Sequence, residues 1–166
     1  PLTVANDRSS AMSLNYSFHT LEQFIGKELG VSEWIVITQD MVNQFAETTG
    51  DKQWIHVDVE RSRRESPYGG PIAHAFMSLS MVAGMMMQIG AIPSDVAAAL
   101  NYGIDRARFP APVPVGARIR NRAVLTDVTD QGGGRKIVKI TNTVEVEGQA
   151  KPAIVAETLA MLIGRP

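Results

Sequence analysis

The stretch IAHAFMSLSMVAGMMMQIGAI, residues 72–92, is the most apolar part of the chain and decides the fold. Wound as an α-helix it is apolar on nearly every side, which predicts a helix over about residues 72–90 that is surrounded by protein. His74, Gln88 and two serines interrupt it, and no run reaches the ~18–20 apolar residues that a membrane crossing requires. We therefore predict a buried central helix and no membrane partner.

Four β-type segments follow this helix. Each alternates apolar and polar residues or is rich in β-branched residues, and turns containing Pro, Gly or Asp separate them. The segments cover residues 99–113, 116–130, 134–148 and 151–164. Their hairpin-length connections predict an antiparallel meander. One very apolar helix and one antiparallel sheet indicate an α+β fold in which the sheet wraps around the helix.

The first half of the chain is predicted to be mostly helical. Residues 19–30 and 38–50 each place apolar residues on one side between a capping threonine and a glycine, which is typical of short helices. Residues 56–66 fit another short helix that begins at Asp58. Between the first two helices, the β-branched segment 32–38 predicts a single strand.

Length and composition restrict the class of protein. The chain of 166 residues is long enough for one domain with a core, and we predict an N-terminal arm of residues 1–18 followed by one domain over residues 19–166. A net charge of −1 provides no general attraction for nucleic acid. The absence of cysteine excludes disulfides and cysteine-based zinc sites, and it fits a reducing compartment, so a cytoplasmic location is expected.

The segment TTGDKQWIHVD, residues 48–58, carries the first candidate for chemistry. Gly50 ends the predicted helix, and a turn followed by an extended Trp-Ile-His segment would direct Asp51 and His56 toward one point. A histidine exchanges protons near neutral pH, and a neighbouring carboxylate can orient it or share the proton transfer. In isolation, such a pair is more often a turn cap and a semi-buried structural histidine.

The segment YGGPIAHAFMSLS, residues 68–80, is the second candidate. Two glycines before a helix allow the backbone to approach a ligand closely, and a helix N-terminus offers unpaired N–H groups that could polarise a carbonyl. Alone, this pattern is more often a simple turn. His74 has no acidic neighbour in sequence and is expected to be structural, with a backbone partner. The histidine spacings typical of metal sites are missing, so no metal is predicted.

Taken together, the two segments resemble the hydratase motif of the MaoC-like family, which includes the (R)-specific enoyl-CoA hydratases, also called hydratase 2. The family pattern is FA-x-x-[ST]-GD-x-NPIH-x-D followed, after an interval, by GG-x-IAHG and a helix that carries a serine. The similarity covers residues 45–82, with both halves at the expected separation. Gln53 and Trp54 replace the usual Asn-Pro, and Ala75 replaces a glycine; the form with Gln-Trp is closest to the NodN-like branch.

The resemblance implies a hot-dog fold, in which a curved antiparallel sheet wraps around one long helix, and a homodimer. It implies that Asp51 and His56 are catalytic, that the backbone amide of Gly70 binds the thioester oxygen, and that Ser80 supports the site. The residues expected around the substrate are Trp54, Met77, Met81 and Gly84.

The implied activity is the reversible syn-hydration of a trans-2-enoyl-CoA to an (R)-3-hydroxyacyl-CoA. No metal or redox cofactor is implied, and coenzyme A enters as part of the substrate, with acyl-carrier protein as the other possible carrier. Two further functions stay open from the sequence. One is a hot-dog acyl-CoA thioesterase, and the other is a non-catalytic acyl-CoA-binding or signalling protein.

Overall fold

A computed structural model describes residues 15–166. Within these residues the chain forms a 3-10 helix, four α-helices and six strands. In chain order they are the 3-10 helix (Leu21–Phe24), β1 (Glu28–Val31), β2 (Ile35–Val36), α1 (Gln39–Thr49), α2 (Trp54–Val57), α3 (Val59–Glu65), α4 (Ala75–Ile89), β3 (Val96–Arg108), β4 (Arg118–Gly132), β5 (Arg135–Val146) and β6 (Ile154–Gly164).

All strands belong to one antiparallel sheet in the order β1-β4-β5-β6-β3, and β2 also pairs with β4. The predicted α+β class and antiparallel sheet are confirmed. The simple meander is wrong in one respect, because β3 pairs with β6 rather than with β4. The connection from β3 to β4 therefore crosses to the far side of the sheet, and its proline-containing segment 109–114 passes next to the start of α4, where Ile72 forms a bridge with Pro114.

Helix α4 packs one face against the concave side of the sheet. Its inward side chains Met77, Val82 and Met85 are nearly inaccessible to solvent, because they contact apolar side chains that alternate along the central strands. The expectation that protein surrounds the helix is wrong for a single chain. Phe76 and Met87, on the opposite face, are 68% and 80% exposed.

Capping determines where the two predicted helices before the site begin and end. The Thr38 hydroxyl accepts a hydrogen bond from the Met41 N–H at the start of α1, and Gly50 ends that helix with φ of 80°. The Asp58 carboxylate accepts from the Arg61 N–H at the start of α3. The predictions for residues 38–50 and 56–66 are therefore confirmed in outline, although the second segment begins with the end of α2.

Two local predictions are wrong. Residues 19–30 form the 3-10 helix and then β1, so Gly30 lies within a strand instead of ending a helix. Its φ is 153°, and a Cβ at this position would lie 2.8 Å from Ile89 Cγ2 of α4, which glycine avoids. The Trp-Ile-His segment is one helical turn, α2, rather than extended. The carbonyl of Trp54, the first residue of this turn, accepts hydrogen bonds from the Asp58 N–H and the Ser62 hydroxyl.

The predicted N-terminal arm lies mostly outside the described residues. Of its described part, Tyr16 donates from its hydroxyl to the Ala91 carbonyl at 2.7 Å, and Phe18 is buried with its N–H on the Asp95 carboxylate. Over residues 15–166, every helix is too short or too polar to cross a membrane.

Candidate active site

Three consecutive features of the chain bring Asp51, His56 and His74 together. Asp51 follows the left-handed Gly50 that ends α1, His56 lies in the single turn α2, and His74 is the residue from which α4 begins. One polar side-chain atom from each residue lies within 4.8 Å of the corresponding atoms of the other two. The predicted convergence of Asp51 and His56 is therefore present, and His74 joins them.

His56 is held by the backbone of the loop before α4. Its Nδ1 lies 2.7 Å from the Ile72 carbonyl oxygen, and the Ile72 N–H in turn donates to the Ile55 carbonyl. Because a carbonyl oxygen only accepts, Nδ1 carries the proton, and in the neutral ring Nε2 keeps a free lone pair. The imidazole is only 6% exposed.

Burial sets the protonation of His56. It lowers the pKa of the ring below the ordinary histidine value, since the cation is poorly solvated there. The hydrogen bond to the Ile72 carbonyl and the charge of Asp51 oppose this shift, whereas repulsion from a charged His74 adds to it. The net direction is downward, so His56 is mainly neutral at neutral pH and can accept a proton.

His74 is more completely buried than His56, at 3% exposure, and it contacts both other members of the group. Its Nε2 donates to the main-chain carbonyl oxygen of Asp51 at 2.9 Å. Its ring stacks on that of His56 with centroids 3.9 Å apart and planes 27° apart, and Phe45 packs against it at 5.1 Å. The backbone partner expected for His74 is present, and it is the carbonyl of Asp51. His74 is therefore part of the site.

Asp51 is the exposed member of the group, and its carboxylate accepts only a long hydrogen bond from the Gln53 N–H at 3.4 Å among residues 15–166. Within the described chain, Asp51, His56 and His74 form the group of side chains that could together hold a metal ion. Ring-nitrogen lone pairs lie in the ring plane, so stacked imidazoles do not direct theirs at one common point. The absence of a metal cofactor stays a prediction.

The three side chains line a cavity of about 660 Å³, within the usual range of ligand pockets, about 300–1,000 Å³. Most of its wall is apolar. Two of its aromatic residues, Phe76 and Phe109, pack together with their ring centroids 5.7 Å apart. The remaining lining residues come from α1, the first turn of α4, the loops before α4 and β4, and the junction of β6 with the loop before it. They are Phe45, Thr49, Tyr68, Ile72, Ala73, Ala75, Ser78, Pro110, Ala111, Pro112, Val113, Ala153 and Ile154.

The N-terminus of α4 opens into this cavity. Ala75 and Phe76, the first two residues of the helix, both line it, and the side chain of the N-cap residue His74 makes no capping hydrogen bond. The first N–H groups of a helix have no acceptor within the helix and carry the positive end of its dipole. They form a donor site for a developing negative charge on an oxygen atom.

Several residues expected at the site from sequence do not line the cavity. Gly70 and Ser80 lie outside it, and the Ser80 hydroxyl donates to the Phe76 carbonyl on the exposed side of α4. Trp54 instead packs under the Arg61 guanidinium, 4.3 Å from its ring centre. The three expected positions on α4 are also elsewhere. Met77 is buried in the core, Met81 packs against that core, and Gly84 is exposed.

Sequence reasoning missed Ser78 and the segment FPAPV, residues 109–113. Ser78 is 1% exposed, and its Oγ has no hydrogen-bond partner among the described residues. It lies four positions after His74, a spacing that puts both on the same side of a helix, and this signal was available. The wall formed by residues 109–113 could not be predicted, because it depends on how β3 connects to β4 across the sheet.

Comparisons with known proteins show which chains this one is similar to. The family model described as "MaoC like domain" matches residues 20–149. The 3-hydroxyacyl-thioester dehydratase Z of Mycobacterium tuberculosis is 47% identical over 138 residues, which cover 83% of this chain and 90% of the relative. The nodulation protein N of Rhizobium leguminosarum is 41% identical over 138 residues, covering 83% and 86%. The solved structure of the R-hydratase PhaJ1 from Pseudomonas aeruginosa matches with a TM-score of 0.69 at 18% identity, covering 85% of this chain and 83% of the other.

Proposed function

The chain belongs to the MaoC-like dehydratase family and is an enzyme of the hydro-lyase class, and on this premise we propose that it interconverts trans-2-enoyl and (R)-3-hydroxyacyl thioesters by syn addition or loss of water. The observation that carries the proposal is the arrangement of His56. A ring nitrogen of His56 and an oxygen of the Asp51 carboxylate lie within 4.8 Å of each other, His56 keeps Nε2 free because Nδ1 binds the Ile72 carbonyl, and both residues line a cavity that also receives the N-terminus of α4. The name of the mycobacterial relative supports the same substrate class.

His56 and Asp51 hold the reacting water. Their polar atoms lie within 4.8 Å of each other, so one water molecule can bridge them with two hydrogen bonds of ordinary length, about 2.7–2.8 Å for O–H donors. The ionised carboxylate has no proton to donate, whereas an imidazole both takes and returns a proton near neutral pH. His56 is therefore the proton-transfer group, and Asp51 orients the water and stabilises the imidazolium that forms.

The two steps of hydration balance on these groups. The water oxygen forms a bond to C3 as its proton moves to His56 Nε2, and the electron pair of the C2–C3 double bond moves to C2 and the thioester oxygen. The imidazolium then delivers the proton to C2, which gives the 3-hydroxyacyl thioester. Since one imidazole supplies both transfers from one face of the substrate, addition is syn, and dehydration follows the same path in reverse.

The N–H groups of Ala75 and Phe76 stabilise the enolate-like oxygen. They are the first donors of α4, both residues line the cavity, and the side chain of the N-cap residue His74 does not cap them. Removing a comparable donor from an oxyanion site costs about 10²–10³ in rate. This assignment replaces Gly70, whose position outside the cavity does not support the role expected from sequence.

The acyl carrier is coenzyme A or acyl-carrier protein, and the reaction as written uses only groups of this chain, without a metal or redox cofactor. Met77, Met81 and Gly84 of α4, which were expected around the substrate, do not line the cavity. The apolar wall formed by residues 109–113, Ala153 and Ile154 supports an acyl site instead.

The functional unit is a homodimer joined through β3. Within the described chain, this strand of 13 residues pairs with β6 alone, and Leu100, Tyr102 and Ile104 on it are 54%, 58% and 49% exposed. A long apolar strand edge is a site of association that folded proteins cover. A second copy of the chain presents the same edge and can pair with it antiparallel.

The direct test combines two measurements on the same enoyl thioester. Loss of the enoyl absorbance without release of free thiol, and formation of the (R)-3-hydroxy product on a chiral column, are the expected results with coenzyme A or acyl-carrier protein as carrier. Thiol release at a matching rate would identify a thioesterase. Binding without turnover, at enzyme concentrations above those of substrate, would identify a non-catalytic acyl-binding protein.

A further inference from the structure

We propose that His74 is a positioning residue, which holds Asp51 and His56 in the arrangement that the reaction needs. This inference rests on the proposed function for its meaning, but the contacts on which it depends are independent of any substrate. His74 does not take a proton from water in this scheme. It acts through the two residues that do contact the water.

The first contact fixes the backbone at Asp51. The residue follows the left-handed Gly50, and its carboxylate has one long hydrogen bond among residues 15–166, so the side chain does little to hold itself in place. The Nε2 of His74 donates to the Asp51 carbonyl oxygen at 2.9 Å from across the cavity wall. This bond ties the loop that carries the carboxylate to the start of α4, 23 positions later in the chain.

The second contact fixes the ring of His56. His74 stacks on it at 3.9 Å between ring centres, and Phe45 of α1 packs against His74 at 5.1 Å. The Ile72 carbonyl anchors one atom of the His56 ring, but rotation about that hydrogen bond is limited only by what lies against the faces of the ring. The stack therefore determines where Nε2 points, and a misplacement of about 1 Å can cost about 10²-fold in rate.

The two hydrogen bonds give the stacked rings opposite tautomers. His56 carries its proton on Nδ1 and His74 carries its proton on Nε2, since each donates to a carbonyl. The Nδ1 of His74 is buried and without a hydrogen-bond partner among the described residues. Of the two rings, only His56 presents a free lone pair toward the water held with Asp51.

The titratable groups that share the cavity with His56 are Asp51 from the loop after α1, His74 at the start of α4, and Tyr68 from the turn before it. Within the described lining there is no lysine or arginine. A charged His74 lowers the pKa of His56 by repulsion. Replacing His74 with a neutral polar residue is therefore expected to raise the pKa of His56.

The experiment separates the two contacts of His74. His74→Gln retains an amide donor near the position of Nε2 and loses the aromatic stack, whereas His74→Phe retains the stack and loses the donor. His74→Leu loses both, and His19→Gln, which alters an exposed histidine, is the control. For each protein we measure kcat and KM for an enoyl thioester, the melting temperature, and the titration of His56 by NMR without substrate. The chain has three histidines, so the NMR signals are readily assigned.

We expect His74→Leu to lower kcat at least about tenfold while KM changes less than about threefold. His74→Gln and His74→Phe are expected to lie between it and the wild type. His56 is expected to titrate at higher pH in His74→Gln than in the wild type or in His19→Gln. Because the titration needs no substrate, it remains informative if the proposed reaction is wrong.

Two results would overturn the proposal. One is a folded His74→Phe or His74→Leu protein with wild-type kcat and a wild-type titration of His56. The other is a loss of activity that matches the loss of folded protein, with normal kcat per folded molecule, because that would make His74 merely structural. If His74→Phe fails to fold, His74→Gln supplies both readouts.

Discussion

The Nδ1 atom of His56 lies 2.7 Å from the carbonyl oxygen of Ile72, a contact made by the backbone of the loop that leads into α4. It leaves Nε2 as the only ring nitrogen that can exchange a proton with substrate. In the proposed mechanism the protonation of Nε2 therefore controls activity. The pH dependence of that activity can be predicted from the environment of the ring.

In the proposed mechanism the neutral form of His56 is the active form in hydration, so kcat/KM is expected to fall as the pH drops through the pKa of His56. Burial lowers that pKa below the ordinary value of 6.5. The rate should accordingly be constant around neutral pH and decline only at pH values below 6.5. A profile of kcat/KM between pH 4.5 and 8.5, with melting curves as a control for unfolding, checks this. A midpoint above 6.5 would contradict the assignment.

Asp51→Asn is expected to lower kcat by at least about a hundredfold, the scale usual for acid–base groups. The amide retains the size of the carboxylate but removes the charge that orients water and stabilises the imidazolium. Asp58→Asn is the matched control, because Asp58 only caps α3, and asparagine caps a helix about equally well. Steady-state kinetics of both variants make the comparison, and near-wild-type hydration by folded Asp51→Asn would reject the role of Asp51.

Ser78→Ala is expected to lower kcat several-fold more than Ser80→Ala does. The Ser78 hydroxyl is buried at the cavity, whereas that of Ser80 is satisfied by the Phe76 carbonyl on the exposed face. Both changes remove one oxygen atom from the same helix, so each is the other's control. If folded Ser80→Ala loses more kcat than folded Ser78→Ala, Ser80 rather than Ser78 supports the site, as the sequence predicted.

The chemical centre of the site could be predicted from sequence because its residues are close together in the chain and are placed by local structure. Thr38 and Gly50 mark the ends of α1, and these caps determine where Asp51 lies. The motif then pairs Asp51 with His56. The role of α4 as the central helix also follows from its composition alone.

The walls of the cavity could not be predicted, because they come from long-range packing. Trp54 and Gly84 lie within or near the motif in sequence but do not line the cavity, whereas Phe109 and Ala153, which are far from it in sequence, do. The turn α2 was also missed, since its single helical turn depends on contacts of the Trp54 carbonyl with residues that follow. Contacts with the next helix, α3, rather than the pattern of the segment itself, decide this short turn.

Leu100→Lys combined with Tyr102→Lys is expected to convert a dimer into a monomer. The two charges would lie on the exposed part of β3, where a partner strand would bury them at a cost of several kcal/mol unless they were paired. Val36→Lys, on an exposed residue of β2, is the matched control and should leave the dimer intact. Sedimentation at micromolar concentration measures all three proteins, and a monomeric wild type would reject the proposed homodimer.

The length of the acyl chain is expected to matter through the cavity wall rather than through α4. The space of about 660 Å³ is bounded by apolar residues, and each buried CH₂ group contributes roughly 0.8 kcal/mol, about fourfold in binding. We therefore expect kcat/KM to rise from crotonyl to hexenoyl and octenoyl thioesters. Strict preference for the crotonyl substrate would contradict this.

Two variants locate the determinant of chain length. Ala153 is 2% exposed and lines the cavity, so Ala153→Met should fill space and lower the octenoyl-to-crotonyl ratio of kcat/KM at least about tenfold. Gly84 is exposed outside the cavity, and a Cβ built there meets no atom within 4 Å. Gly84→Leu should therefore leave the ratio unchanged, even if helix stability falls. General losses of activity cancel in this ratio. A lowered ratio in Gly84→Leu together with a normal ratio in Ala153→Met would show that the acyl chain lies along α4 instead.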